Sequence, residues 1–424
     1  MSRASRRVMV GAAVLAVALV AMLGVASLVA EHEEPVTATT VADSAAQREL
    51  GRYLALAGNC ATCHTVSGGA PYAGGREIHT PFGVVYSSNL TPDAATGLGA
   101  WSADDFWRAM HHGKSRDGRL LVPAFPYVNT TLITRADSDA LFAWLRTLPA
   151  VPARNQAPRL RFPYNQALAL RVWRAIYFRP GEFVPDAARS AAWNRGAYLV
   201  EGLGHCNACH GERDRFGGVA RGDHGGGLIP VLDWMAPALT GAIPGGPAER
   251  VRLLQTGVSA VRAIHGPMAE TVARSLQHLS EPDLRAMVEY LASLPDARKH
   301  AARAPDVSGP AYDETMARGG RLYGRHCADC HGKDGRGAPP AYPPLAGNAG
   351  MLASPVNPIR LVLNGGYPPA TGGNPRPHGM PPFRHTLDAE EVAAVISFAR
   401  NSWGNRGSLV SAIEVQRFAA VPVE

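Results

Sequence analysis

Three pentapeptides carry the chemistry of this sequence: Cys60-Ala61-Thr62-Cys63-His64, Cys206-Asn207-Ala208-Cys209-His210 and Cys327-Ala328-Asp329-Cys330-His331. In a C-x-x-C-H pattern two thiols add across the vinyl groups of a porphyrin, and the adjacent imidazole comes under the iron as its proximal ligand. Cys60, Cys63, Cys206, Cys209, Cys327 and Cys330 are therefore read as covalent haem attachments, and His64, His210 and His331 as axial iron ligands. The expected cofactor complement is three covalently bound c-type haems. With 6 Cys and 15 His in 424 residues, chance would supply about 0.003 such motifs. All six cysteines fall inside the motifs; none is left for a disulfide framework, and a zinc site does not demand a histidine directly after each pair.

Each haem needs a decision about its sixth ligand. The second repeat offers His265-Gly266-Pro267-Met268 and the third His378-Gly379-Met380-Pro381-Pro382-Phe383. A methionine in a Gly/Pro-fixed loop before the last helix is where a small His/Met cytochrome places its thioether, so Met268 and Met380 are the expected distal ligands. The first repeat reads Val122-Pro123-Ala124-Phe125-Pro126-Tyr127 at this place, and phenylalanine cannot ligate iron. Its distal candidates are Met110, His111 and His112. Met110 aligns with the core positions Leu254 and Leu363, and the default place for the two histidines is the solvated surface.

Helices must deliver these groups. Each repeat opens with one: Leu50, Tyr53, Leu54 and Ala57 fall at helical spacing, Gly196-Ala197-Tyr198-Leu199 echoes Gly51-Arg52-Tyr53-Leu54, and the third repeat offers Gly320-Arg321-Leu322-Tyr323. Each also closes with one, announced by Thr134 with Asp137, Ser280 with Asp283, and Asp388 with Glu391 as capping boxes. An acid leads an aromatic by seven residues in all three, Asp137 to Trp144, Asp283 to Tyr290 and Glu391 to Phe398. Repetition at a fixed distance from a haem motif marks one domain type written three times. The predicted fold is all-α: three tandem class I cytochrome c domains after an N-terminal transmembrane or signal helix. The expected boundaries are 1–34 for the signal peptide or anchor, 45–150 for domain 1, 151–190 for a connector with an amphipathic helix, 191–296 for domain 2, 311–405 for domain 3 and 406–424 for a docking tail.

Val36 to Gln47 and Ala297 to Pro310 read as a tether and a linker. In the connector, Leu168, Val172, Trp173, Ile176 and Tyr177 form an aromatic stripe expected to pack between domains 1 and 2, with a partner or membrane surface as the alternative. In the tail, Leu409, Ile413, Val415 and Phe418 are the expected docking residues. Gly225-Gly226-Gly227 is only a glycine-rich turn without the strand-to-helix context of a phosphate cradle. A formal charge of +7 and pI near 9.2 raise the question of nucleic acid, but haem propionates offset part of the charge and no Lys/Arg run of that type is present. Arg3, Arg6 and Arg7 precede an uncharged apolar run from Val8 to Ala30, long enough to cross a bilayer with its positive end in the cytoplasm. A retained anchor and a signal cleaved after Ala26 both fit; either exports the remainder.

The chain resembles the three-haem cytochrome c subunits of membrane-bound periplasmic dehydrogenases that act on alcohols, gluconate, sorbitol and aldehydes. Beyond the motifs, the resemblance rests on Thr80-Pro81-Phe82-Gly83-Val84-Val85-Tyr86-Ser87-Ser88-Asn89-Leu90-Thr91-Pro92, on Trp193 to His205, and on Asn401-Ser402-Trp403-Gly404-Asn405. It implies an electron-transfer subunit without substrate turnover of its own, at the periplasmic face of the bacterial inner membrane. Its partners would be a catalytic dehydrogenase subunit of molybdenum, flavin or quinoprotein type, and ubiquinone or a downstream cytochrome. Phe125 departs from the commoner Pro-Ala-Met-Pro-Tyr form and is similar to the branch that pairs with a molybdenum hydroxylase and a small iron-sulphur subunit. Two readings from other classes stand beside this one: an enzyme or gas sensor using an open-site haem 1, and a stand-alone shuttle cytochrome.

Overall fold

The computed structural model describes residues 3–30, 44–241, 245–295 and 308–419. The tether as far as residue 43 and the linker as far as 307 lie outside the described residues. The fold is mostly helical. It is not all-α: strands Glu77–Thr80 and Gly83–Tyr86 pair antiparallel, the short strand Arg159–Leu160 joins them, and Gly227–Ile229 pairs with Trp234–Ala236. Gly226, in the triplet read as a plain turn, has φ +88°, and a Cβ there would lie 2.7 Å from the Ala238 amide. That close backbone approach is what admits the second hairpin.

The chain forms two compact units. The first comprises Met1–Ala55, Cys63–Val184 and Asp214–Ala220; the second comprises Leu56–Thr62, Pro185–Arg213 and Arg221–Glu424. The N-terminal helix Arg3–Ala30 is about 42 Å long at 1.5 Å per residue, enough to cross a bilayer's hydrocarbon core.

One helix pair recurs three times. The opening helices are Ala45–Ala57, Ala191–Glu201 and Pro310–His326; the closing helices are Arg135–Leu145, Glu281–Ser293 and Ala389–Asn401. Each pair crosses on a glycine so closely that a Cβ would fall on a carbonyl, 2.5 Å from Ala140 C at Gly51, 2.5 Å from Ala286 C at Gly196 and 2.9 Å from Ala394 C at Gly319. The third crossing glycine is thus Gly319, one residue before the Gly320 that sequence pairing selects. The apolar stripes close around these crossings: Leu54, Leu141 and Leu145 in the first; Leu199, Val200, Leu284 and Val288 in the second; Leu322, Val392, Val395 and Ile396 in the third. The seven-residue aromatic packs beside each crossing, as Tyr72–Trp144 at 5.2 Å between ring centroids, Trp193–Tyr290 at 5.1 Å and Tyr323–Phe398 at 5.4 Å.

Of the three expected capping boxes, the described hydrogen bonds complete one. Asp388 accepts from the Glu391 amide (2.8 Å) and Glu391 from the Asp388 amide (3.1 Å). The Thr134 and Ser280 hydroxyls accept from the Asp137 and Asp283 amides. The Asp283 carboxylate is taken instead by the Arg195 fork at 2.8 and 2.9 Å, which ties the second closing helix to its opening helix.

The connector helix spans Ala167–Tyr177 and belongs to the first unit. Its fully buried residue is Arg174; of the apolar stripe, Val172, Trp173 and Tyr177 are half-buried while Leu168 and Ile176 are exposed. The Arg174 guanidinium lies 5.0 Å from the Tyr127 ring and 4.6 Å from Phe178, and donates to the His112 carbonyl at 2.9 Å. The tail docks onto the third repeat's own core. Val415 and Phe418 are buried there as expected, Ile413 is exposed, and Val410 takes the remaining place. The Val410 amide donates to Ser397 Oγ at 2.8 Å, and buried Arg400 reaches Ser408.

Candidate functional site

Each C-x-x-C-H motif forms a single helical turn at the end of its opening segment: Cys60–His64, Asn207–His210 after Cys206, and Ala328–His331 after Cys327. In the first two repeats the opening helix stops short, and the residue before the first cysteine turns back with positive φ, Asn59 at 50° and His205 at 35°. The third runs straight through to His326. All three present the thiols alike, with the first half-buried and the second exposed, and none of the six is in a disulfide. Among the described residues no group of three or more His, Cys, Asp or Glu side chains is arranged to hold a bare metal ion.

The three histidines are held identically. Nδ1 of His64 lies 2.6 Å from the Ser88 carbonyl, that of His210 2.8 Å from Pro237, and that of His331 3.0 Å from Pro343. A carbonyl accepts only from N–H, so these contacts fix the proton on Nδ1 and leave the Nε2 lone pair for iron. Burial lowers the pKa of all three, with His210 at about 4, against the opposing effect of the carbonyl. The rings therefore stay neutral, the form a metal needs. Each histidine's own carbonyl is fixed too, by Gly74, Gly226 and Gly337 amides at 2.8, 2.7 and 2.8 Å.

In the second unit both remaining motifs open into one cavity of about 480 Å³. Its lining brings together Cys206, Cys209, His210 and Met268 with Cys327, Cys330, His331 and Met380. Burial pushes the Cys206 thiol up to about 12 and Cys327 up to about 11. The cavity is apolar in the main, with Trp234, Leu253, Ile264, Leu361 and Phe383 in its wall, and carries the cations Arg250 and Arg262. Arg250 is braced against the Leu239 and Gly241 carbonyls at 3.2 and 2.9 Å. An apolar space with thiols, a neutral imidazole and a thioether at its wall and arginines beside them fits a haem, which is an apolar disc with two carboxylates. Asn357 staples the two halves of the cavity together, its side chain exchanging bonds of 2.9 and 2.8 Å with the Met235 backbone.

Met268 sits at the start of helix Pro267–Arg274. Met380 is fixed by a reciprocal backbone pair with Gly366, at 2.8 and 3.0 Å. The loops of the first two repeats are in matching register: Leu121 N–H donates to the Gly113 carbonyl and Ile264 N–H to Gly257, both at 2.8 Å. Four residues on from these lie Phe125 and Met268, so the phenylalanine occupies the methionine's place. Met110 and His111 are both buried on helix Ala103–His112. His111 thus departs from the surface position expected of it. Its ring stacks on Trp107 at 4.3 Å, and burial, helped by His112, lowers its pKa to about 4. His112 is half-buried with its ring edge-on to His111 at 4.7 Å.

Comparison with known proteins agrees with this construction. The cytochrome c domain family matches residues 49–149 and 316–403. The chain is 42% identical over 384 residues to a subunit of the nicotinate dehydrogenase of Pseudomonas putida, covering 87% of this chain and 31% of that one, so it spans about a third of that relative's length. It is 36% identical to the gluconate 2-dehydrogenase cytochrome c subunit of Pantoea cypripedii, covering 84% of this chain and 85% of the relative. With the cytochrome c subunit of the quinone-type alcohol dehydrogenase of Gluconobacter oxydans it shares 35% identity over 87% of this chain and 81% of the relative. This kinship, with the three C-x-x-C-H motifs, shows that the chain belongs to the cytochrome c subunits of membrane-bound dehydrogenases, electron-transfer subunits with covalently attached c-type haem.

Proposed function

We propose that the chain is a three-haem electron carrier built from three tandem class I cytochrome c domains, at 45–150, 191–296 and 311–405, that conducts electrons from a periplasmic dehydrogenase to ubiquinone or another respiratory carrier. Haem, when bound, supplies reversible one-electron chemistry at its iron. The attachment pairs are Cys60 with Cys63, Cys206 with Cys209, and Cys327 with Cys330. His64, His210 and His331 hold the proximal side, and Met268 and Met380 the distal side of the second and third. A thioether favours the reduced iron and raises its potential relative to a second imidazole. The N-terminal helix keeps the chain at the periplasmic face of the inner membrane.

The observation that carries this reading is the single cavity shared by the second and third motifs. Two redox centres in one continuous space exchange electrons without crossing solvent. Kinship with a nicotinate dehydrogenase subunit, together with Phe125, favours a molybdenum hydroxylase with a small iron-sulphur subunit as the partner. The test is co-purification with the neighbouring gene products. Substrate should reduce the haems only when the catalytic subunit is present; haem reduction by substrate in its absence would refute an electron-transfer role.

Phe125 in the methionine's place favours one further reading, an open first haem that binds gas or substrate. Carbon monoxide binding to one haem in three supports it, and three low-spin haems indifferent to carbon monoxide exclude it.

A further inference from the structure

The hydrogen bonds that fix the proximal histidines also superimpose the three repeats residue by residue. Two positions before the glycine that binds each histidine carbonyl stand Tyr72, His224 and Gly335. Their own carbonyls accept from equivalent leucines, Leu90 at 2.9 Å, Leu239 at 2.9 Å and Leu345 at 2.7 Å. The first and third repeats fill this place with aromatic rings. Tyr72 meets Trp144 edge-on at 5.2 Å; at Gly335 the Trp403 ring occupies the space a side chain would take, 5.0 Å from Tyr323 and 5.6 Å from Phe398.

The second repeat fills it with titratable groups. His224 is 1% exposed, its Nε2 lies 2.5 Å from Glu201 Oε1, and the Tyr290 hydroxyl donates to the same oxygen at 2.7 Å. Glu201 stands five residues after the crossing glycine Gly196, where the other repeats carry Leu56 and Gly324. A carboxylate is costly to bury, and packing alone would select the apolar solution used on either side. His224 Nδ1 is also buried, with no hydrogen-bond partner among the described residues. The groups facing the pair are Tyr290 from the closing helix and Cys206 and His210 from the motif. Glu201 directly follows Val200, whose carbonyl accepts from the Cys206 amide at 3.2 Å, and His224 lies two residues before Gly226, whose amide binds the His210 carbonyl at 2.7 Å. The pair therefore lies within electrostatic reach of the second haem's attachment and ligand.

We propose that Glu201, His224 and Tyr290 form a proton-binding site linked to the oxidation state of the haem carried by Cys206 and Cys209, so that this repeat alone couples proton uptake to electron transfer. The inference rests on the proposed function, since it needs a haem at that motif. An electron arriving from the partner dehydrogenase reduces the positive charge at the iron by one. The Glu201–His224 pair then holds one proton from water more tightly, and releases it when the electron moves on. Tyr290, by donating to the carboxylate, keeps the pair from binding that proton too early.

The experiment is a spectroelectrochemical titration of the full-length, haem-loaded chain from about pH 5 to pH 9. One potential should fall with rising pH by up to tenfold in reduction constant per pH unit, about 59 mV for one electron. Glu201→Gln, whose amide oxygen still accepts both hydrogen bonds, should flatten that dependence and raise the same potential at high pH. Three pH-independent potentials in the wild type, or a slope that survives Glu201→Gln, overturn the proposal. Should Glu201→Gln not fold, Tyr290→Phe carries the test: it must move the pH-dependent region upward, and an unmoved profile overturns the proposal. Mass analysis of the Cys206–His210 peptide separates the two layers. Haem on that peptide with flat potentials removes the proton site alone; a peptide without haem removes the reading beneath it as well.

Discussion

Gly196→Ala probes how the attachment motif is held. The opening and closing helices of the second repeat touch at this glycine, where an added Cβ would sit 2.5 Å from Ala286 C and 3.0 Å from Met287 N. Unstrained carbon–carbon contact needs about 3.5–4.0 Å, so the helices must part by about 1 Å. The obstacle is backbone, and no rotamer change relieves it. Parting also loosens Leu199, Val200, Leu284 and Val288, all nearly fully buried at the crossing. Overpacking of this kind costs about 1–3 kcal/mol or somewhat more, against about 1 kcal/mol gained from alanine's better helix propensity. A net loss of about 1–2 kcal/mol in a unit of this size lowers Tm by about 2–8 °C. Gly324→Ala is the control: that glycine lies in the third opening helix with nothing within 4 Å of an added Cβ. It should gain stability by about 0.5–1 kcal/mol. Thermal unfolding of the haem-loaded proteins by far-ultraviolet circular dichroism reads both. Equal or higher stability in Gly196→Ala would refute the claim that close helix approach at this glycine positions Cys206.

Removing the thioether in Met268→Ala or Met380→Ala should open one haem each, raising carbon monoxide stoichiometry by one per chain; optical titration counts the sites, and no increase removes that residue as ligand. His111, held neutral with its pKa lowered from 6.5 to about 4, binds its proton more readily in the unfolded chain. Its contribution to stability is therefore complete above about pH 6.5 and is lost as pH falls toward 4. His111→Phe keeps the stack on Trp107 and should flatten stability between those limits, as denaturant midpoints at several pH values would reveal. Phe418→Ala should cost about 3–5 kcal/mol, the penalty for a buried aromatic, because the tail completes the third core; a midpoint unchanged in guanidinium would show that it does not.

Both helices of each repeat were legible in the sequence because they rest on local rules, helical periodicity around fixed caps, and the three C-x-x-C-H motifs could be located for the same reason, each lying within five consecutive positions. What escaped it depends on partners distant in sequence. Gly319 rather than Gly320 is the crossing residue because only the helix contact with Ala394 selects between them. Asp283 leaves its expected capping box because Arg195 offers a bidentate partner 88 positions away. The connector buries Arg174 because Tyr127, Phe178 and the His112 carbonyl form a place for a guanidinium, which the apolar stripe gives no sign of. His111 is buried because Trp107, one helical turn earlier, stacks on it. Glu201 carried a readable signal, an acid in the run Tyr198-Leu199-Val200-Glu201 that the rest of the helix pattern buries, but its partners His224 and Tyr290 are brought to it only by the fold.

The most direct test of the account is the intact mass of the mature chain purified from its native membrane, in wild type and in Cys206→Ser with Cys209→Ser. Three covalent haems in the first and two in the second are predicted. Two or fewer in the wild type, or an unchanged count in the variant, would contradict a three-haem carrier with Cys206 and Cys209 as one of its attachments.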